Sequence, residues 1–85
     1  MERRVMLILV SKRKECAETV QKILSGWGCH IKTRLGLHDG TLEECSESGL
    51  IFLELTGDPE KLNEFERKLN LVKGVNAKQV IMKED

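Results

Sequence analysis

Six consecutive apolar residues, Val5-Met6-Leu7-Ile8-Leu9-Val10, constrain this chain more than any other feature. The run has the length of a strand and falls far short of the ~20 apolar residues that span a bilayer. It does not alternate with polar residues, which marks a strand in the middle of a sheet, apolar on both faces. Leu50-Ile51-Phe52-Leu53-Glu54-Leu55 is a second strand of nearly the same character. A fold that contains both must supply cover for two faces.

Around these runs the periodicity is clear. Ala17, Val20, Ile23, Leu24 and Trp27 recur at spacings of three and four, the stripe of a helix, which Gly26 and Gly28 stop. Ile31, Thr33, Leu35 and Leu37 alternate with His30, Lys32, Arg34 and Gly36, as in a half-exposed strand. Cys29 and His30 then fall at the start of that strand, on opposite faces. Asp39 to Gly49 is polar, contains two glycines, and reads as a long hairpin connection. In Gly57-Asp58-Pro59-Glu60, Asp58 is placed to cap a helix, Pro59 fits its first position, and Glu60 suits the positive end of its dipole. Leu62, Phe65 and Leu69 form that helix's stripe, Leu71 to Gly74 turns the chain, and Val75 to Met82 is a last strand.

The order strand, helix, strand, strand, helix, strand predicts an α+β fold of the ferredoxin-like β-α-β-β-α-β type. Two β-α-β units interleave into a four-stranded antiparallel sheet with both helices on one face. Residues 1–85 make one domain, near the small end of what folds alone. Helices on one face leave the other uncovered, so the chain is expected to be a homo-oligomer, a dimer or tetramer, that buries this face or joins sheet edges.

Lys+Arg and Asp+Glu both number 14, a balance that does not favour nucleic acid as a direct partner. The charge is unevenly spread, net +5 over residues 1–34, −8 over 35–66 and +3 over 67–85. Three cysteines, Cys16, Cys29 and Cys45, contain no C-x-x-C pair, which argues for a reducing compartment, and the expected location is cytoplasmic, with no membrane partner.

No phosphate-binding or dinucleotide-binding glycine motif and no G-x-S-x-G elbow occurs, and the chain has no Tyr. Acylphosphatases share this layout but use an Arg in a glycine-rich loop after the first strand. Here that loop is Ser11-Lys12-Arg13-Lys14, without Gly, and the chain is not expected to be an enzyme. Two segments carry chemistry of another kind. Ser11, Lys12, Arg13 and Lys14 put basic groups and free backbone N–H groups at a helix start, a place suited to an anionic small-molecule effector or a nucleotide; the plainer reading is a solvated basic loop. His38, Asp39, Glu43, Glu44 and Cys45 cluster around the hairpin and read either as metal ligands, chiefly His38 and Cys45, or as a solvated acidic loop. Cys16 reads as a packed cysteine near a helix start. No cofactor is indicated.

The stretch from Gly49 to Asp58, the helix after it, and Leu71-Val72-Lys73-Gly74-Val75-Asn76 resemble the ligand-sensing domain of nickel-responsive repressors and ACT-type regulatory domains. With the Gly26-Trp27-Gly28 turn, the whole chain resembles the regulators of iron-only hydrogenase systems. The resemblance implies an ACT-like fold, oligomerisation through the sheet, and a non-enzymatic regulatory role linked to such a system, with an effector or a protein partner. ACT domains bind effectors beside the loop that corresponds to Ser11–Lys14. Nickel repressors ligate metal through a His-x-His pair on strand two and a Cys before strand three; the matching positions here keep His38 and Cys45. This implies an alternative role, a transition-metal-responsive regulator without a DNA-binding segment of its own.

Overall fold

The computed structural model describes residues 2–11, 14–40 and 45–84, and their side chains except at 14, 15, 37–40 and 45–48. Its elements follow the expected order: β1 (Glu2–Val10), α1 (Lys14–Gly26), a short 3-10 turn (Gly28–His30), β2 (Ile31–Gly40), β3 (Cys45–Leu55), α2 (Pro59–Asn70) and β4 (Val75–Lys83). The strands form one antiparallel sheet in the order β2-β3-β1-β4. The two apolar runs therefore lie at the centre, as their composition requires. This is the ferredoxin-like fold.

Alternate residues of the central strands face the helices. Met6, Ile8 and Val10 of β1, Ile51, Leu53 and Leu55 of β3, and Val75 and Ala77 of β4 meet Cys16, Val20 and Leu24 of α1 and Leu62, Phe65 and Leu69 of α2. Phe65 is fully buried, and the Trp27 ring stacks on it with centroids 5.0 Å apart. The other half of each apolar run, Leu7 and Leu9 among them, stands exposed.

Two expectations are corrected. Asp39 to Gly49 is not wholly a connecting loop, because β2 runs on to Gly40 and β3 already starts at Cys45, with Gly40 opposite Cys45 and His38 opposite Gly49. Backbone pairing there overrides a polar sequence, since a hairpin ladder needs no apolar face. Cys29 and His30 do not open β2. They sit in the 3-10 turn, where His30 N donates to Trp27 O at 2.9 Å.

The second helix starts as its residues dictate. Asp58 Oδ1 accepts from Glu60 N at 3.0 Å and Pro59 occupies the first turn. On its exposed side Arg67 donates to Glu64 and holds that carboxyl below its ordinary value. After α2 the chain turns through Gly74, whose φ of +88° is open to glycine and strained for other residues. Ser11 N donates to Gly74 O at 2.9 Å, so this turn pins the end of β1 to the start of β4.

Phe65→Ala is expected to lower unfolding stability by about 3–5 kcal/mol, read as a fall in the denaturant midpoint with an unchanged slope. At Gly74 an added Cβ would lie 2.5 Å from Ser11 Oγ and 3.0 Å from Cys16 Sγ, at a positive φ. Gly74→Ala should therefore cost about 1–3 kcal/mol in the same measurement; an unchanged midpoint would show that the turn is not held as described.

Candidate effector site at the end of the first strand

The sheet's register brings Ser11, the start of α1 and the Lys73–Gly74 turn to one corner. Cys16 lies in the first turn of α1 and is buried. Its Sγ donates to Lys73 O at 2.9 Å, and Ser11 Oγ lies 3.9 Å from the same sulfur. Gly74 has no side chain to separate these groups, so Ser11, Cys16 and the turn close against one another. The corner is a hydrogen-bonded rim between the end of β1 and the start of β4. Of the four expected effector-binding residues, Ser11 stands on this rim and Lys14 is the first residue of the helix, its side chain outside the described residues. Lys12 and Arg13 lie outside the described residues.

The expected metal ligands lie at the same end of the sheet as this corner, on the end of β2 and the start of β3, where Gly49 of β3 is opposite Val10 of β1. His38 is in β2 opposite Gly49, and Cys45 is in β3 opposite Gly40, with a register irregularity between. Their side chains lie outside the described residues, as do Glu43 and Glu44 altogether, while Asp39 falls within β2. Among the described residues, no group of three His, Cys, Asp or Glu is placed to hold a metal ion. Cys29 is exposed in the 3-10 turn. His30 faces the end of β3, with Nδ1 3.2 Å from Thr56 O while Thr56 N donates to His30 O at 2.9 Å. These contacts tie the turn to the sheet, a structural role for a residue that sequence spacing places beside a cysteine.

Sequence reasoning missed a charged pair on the uncovered face. Arg3 donates to Glu54 through Nε and a terminal nitrogen, both at 2.9 Å. Its side chain stays 58% exposed, and that of Glu54 only 15%. The pair borders a shallow recess of about 510 Å³ whose floor includes Val5 and Phe52. The two residues are 51 positions apart, and only the β1–β3 register, with Val5 opposite Glu54, brings them together. No local pattern signals such a pair.

No known family model matches the chain, and no curated protein matches it. Solved structures do. An uncharacterized protein, TM1266 from Thermotoga maritima, is similar over 98% of this chain and 100% of its own, with 26% identity and a TM-score of 0.81. A dimeric ferredoxin-like protein from an uncultured marine organism is similar over 95% and 92%, with 9% identity and a TM-score of 0.54. CPII from Thiomonas intermedia, a nitrogen regulatory PII-like protein bound to ADP, AMP and bicarbonate, is similar over 98% and 97%, with 12% identity and a TM-score of 0.50. The ferredoxin-like arrangement is thus common to all three and to this chain, along nearly its full length.

Proposed function

We propose that this chain is a non-enzymatic regulatory module that senses a small anionic ligand, a nucleotide being the first class to consider, and that works as a self-associated assembly. The observation that carries the reading is the corner at the end of β1. A pinned strand end and the Lys73–Gly74 turn flank a basic segment that leads into a helix N-terminus. Backbone N–H groups of a first helical turn favour an anion, and Lys12, Arg13 and Lys14 supply the counter-charge. The PII-like neighbour that holds ADP and AMP supports a nucleotide on this fold, and the dimeric ferredoxin-like neighbour supports self-association. The resemblance to regulators of iron-only hydrogenase systems supplies a biological setting for such a module. In that setting the response passes to a partner protein rather than to DNA, in keeping with the balanced charge of the chain.

Ligand-induced stabilisation tests the reading. A ligand at 100 times its dissociation constant adds about 2.7 kcal/mol to unfolding stability. ADP or AMP is expected to raise the thermal midpoint, and the double change Lys12→Ala, Arg13→Ala should abolish the rise while leaving the ligand-free midpoint nearly unchanged. A midpoint moved by nickel or another transition metal and by no nucleotide would replace this reading with the metal-responsive one through His38 and Cys45. Acylphosphate hydrolysis that is lost in Arg13→Ala would instead make the chain an enzyme.

A further inference from the structure

We infer that the Arg3 end of the uncovered sheet face binds a small amphiphilic acid, a carboxylate head on an aliphatic body. The site goes beyond the nucleotide corner proposed above and is separate from it. It lies at the start of β1, whereas the corner lies past that strand's end.

Two recesses share one wall there. The recess of about 510 Å³ is lined by Val5, Phe52 and Met82, with Lys83 and Glu84 at the end of β4. A second, of about 480 Å³, is lined by Glu2, Lys32, Leu55 and Thr56. Arg3 and Glu54 line both. Each volume falls within the ~300–1,000 Å³ of small-molecule sites. The register explains the placement: Thr33 is opposite Glu54, Glu54 opposite Val5, and Arg3 opposite Met82. The lining residues thus form a band across all four strands. Three strand spacings make that band about 14 Å long, the length of an extended acyl chain of about ten carbons. Leu7 and Leu9, further along the same face, line neither recess.

The shared wall is a positioned donor. Arg3 donates through Nε to Glu54 Oε2 and through a terminal nitrogen to Glu54 Oε1, so both carboxylate oxygens are engaged. Glu54 is the more buried partner, and a buried carboxylate holds its cation in place. The exposed part of the pair is therefore the guanidinium. Glu54 takes two of its N–H donors and leaves the rest of the fork for a second carboxylate. Lys32 adds positive charge beside it, and among the described residues no carboxylate pairs with Lys32. Glu2, the other acid of the polar recess, accepts from Arg4 Nε at 2.9 Å.

These features fix the ligand's class and direction. The carboxylate head belongs between Arg3 and Lys32, and the body runs from Arg3 over Val5 and Phe52 towards Met82, whose side is 63% exposed. A short acid such as acetate fills the donor end and leaves the apolar recess wet. An alcohol of the same length fills the apolar recess and gives the two cations no counter-charge. At the β4 end Lys83 and Glu84 carry opposite signs on adjacent residues, so the tail meets no net charge there. An open recess buries one side of an alkyl chain, which makes each added methylene worth on the order of a twofold gain in affinity.

Calorimetric titration of the full chain with hexanoate, octanoate and decanoate, each below its micelle concentration, tests the site. Affinity should rise about twofold per methylene along the series. Octanol and acetate should bind about tenfold more weakly than octanoate, because each lacks one half of the match. The double change Arg3→Gln, Glu54→Gln removes the donor without leaving a buried carboxylate alone, and Met82→Asp changes an exposed side chain. Each should weaken octanoate about fivefold, with circular dichroism, thermal midpoint and light-scattering mass as in the wild type. Lys32→Ala, also at an exposed side chain, is read in place of a variant whose fold or mass changes. The response to ADP should be the same in these variants, which separates a failure here from a failure of the corner. Absence of binding by every acid overturns the inference. So does equal affinity for octanol and octanoate, or wild-type affinity in the variants that keep their fold and mass.

Discussion

The structure depends on one mismatch between supply and demand. Its two central strands are apolar on both sides, yet a β-α-β-β-α-β chain of this length brings its two helices to the same side. The helix side is then packed to completion, with Met6, Ile8, Leu53, Leu62, Phe65 and Leu69 fully buried. Close packing of this kind makes the helix layer rigid, because a well-filled aliphatic core has little freedom to rearrange. The second side keeps Leu7, Leu9, Leu35 and Val80 in water. An aliphatic face that is not buried in the fold is available for assembly, since burial of apolar area is the main favourable term in both processes.

The polar residues manage what the apolar ones leave open. Asn70 and Glu66 satisfy the outer edge of β4, so α2 both covers the core and closes an edge that would otherwise template another strand. Arg4 is drawn to the helix side, where it donates to Glu2 and to Gln79, and Gln79 in turn donates to Asn63 and Glu66. One connected set of hydrogen bonds thus links β1, β4 and α2. Arg3, one residue earlier, points to the other side and pairs with Glu54. Neighbouring arginines therefore serve opposite faces of the sheet, as strand geometry demands.

The corner at Ser11 and Gly74 closes without a glycine-rich loop. Phosphate-binding loops need glycine where the backbone itself approaches the ligand. Here glycine stands in the turn before β4, at Gly74, and allows Ser11 and Cys16 to close on that turn.

The order and type of every major element follow from the residues alone. The continuous runs at Val5–Val10 and Leu50–Leu55, the helical stripe through Leu62, Phe65 and Leu69, and the Asp58-Pro59 start are local signals, and local periodicity determines local structure. The open apolar face is also legible, because two-sided strands outnumber the faces that two helices cover. The extension of β2 to Gly40 and of β3 back to Cys45 is not legible, since ladder hydrogen bonds are backbone bonds that a polar sequence conceals. The Arg3–Glu54 pair, the Asn70 clamp on Ala77, and the closure of Ser11, Cys16 and Gly74 were decided by tertiary structure alone. Each joins residues brought together by strand register or by helix-to-strand packing, and register is a property of two segments together, which neither segment carries by itself.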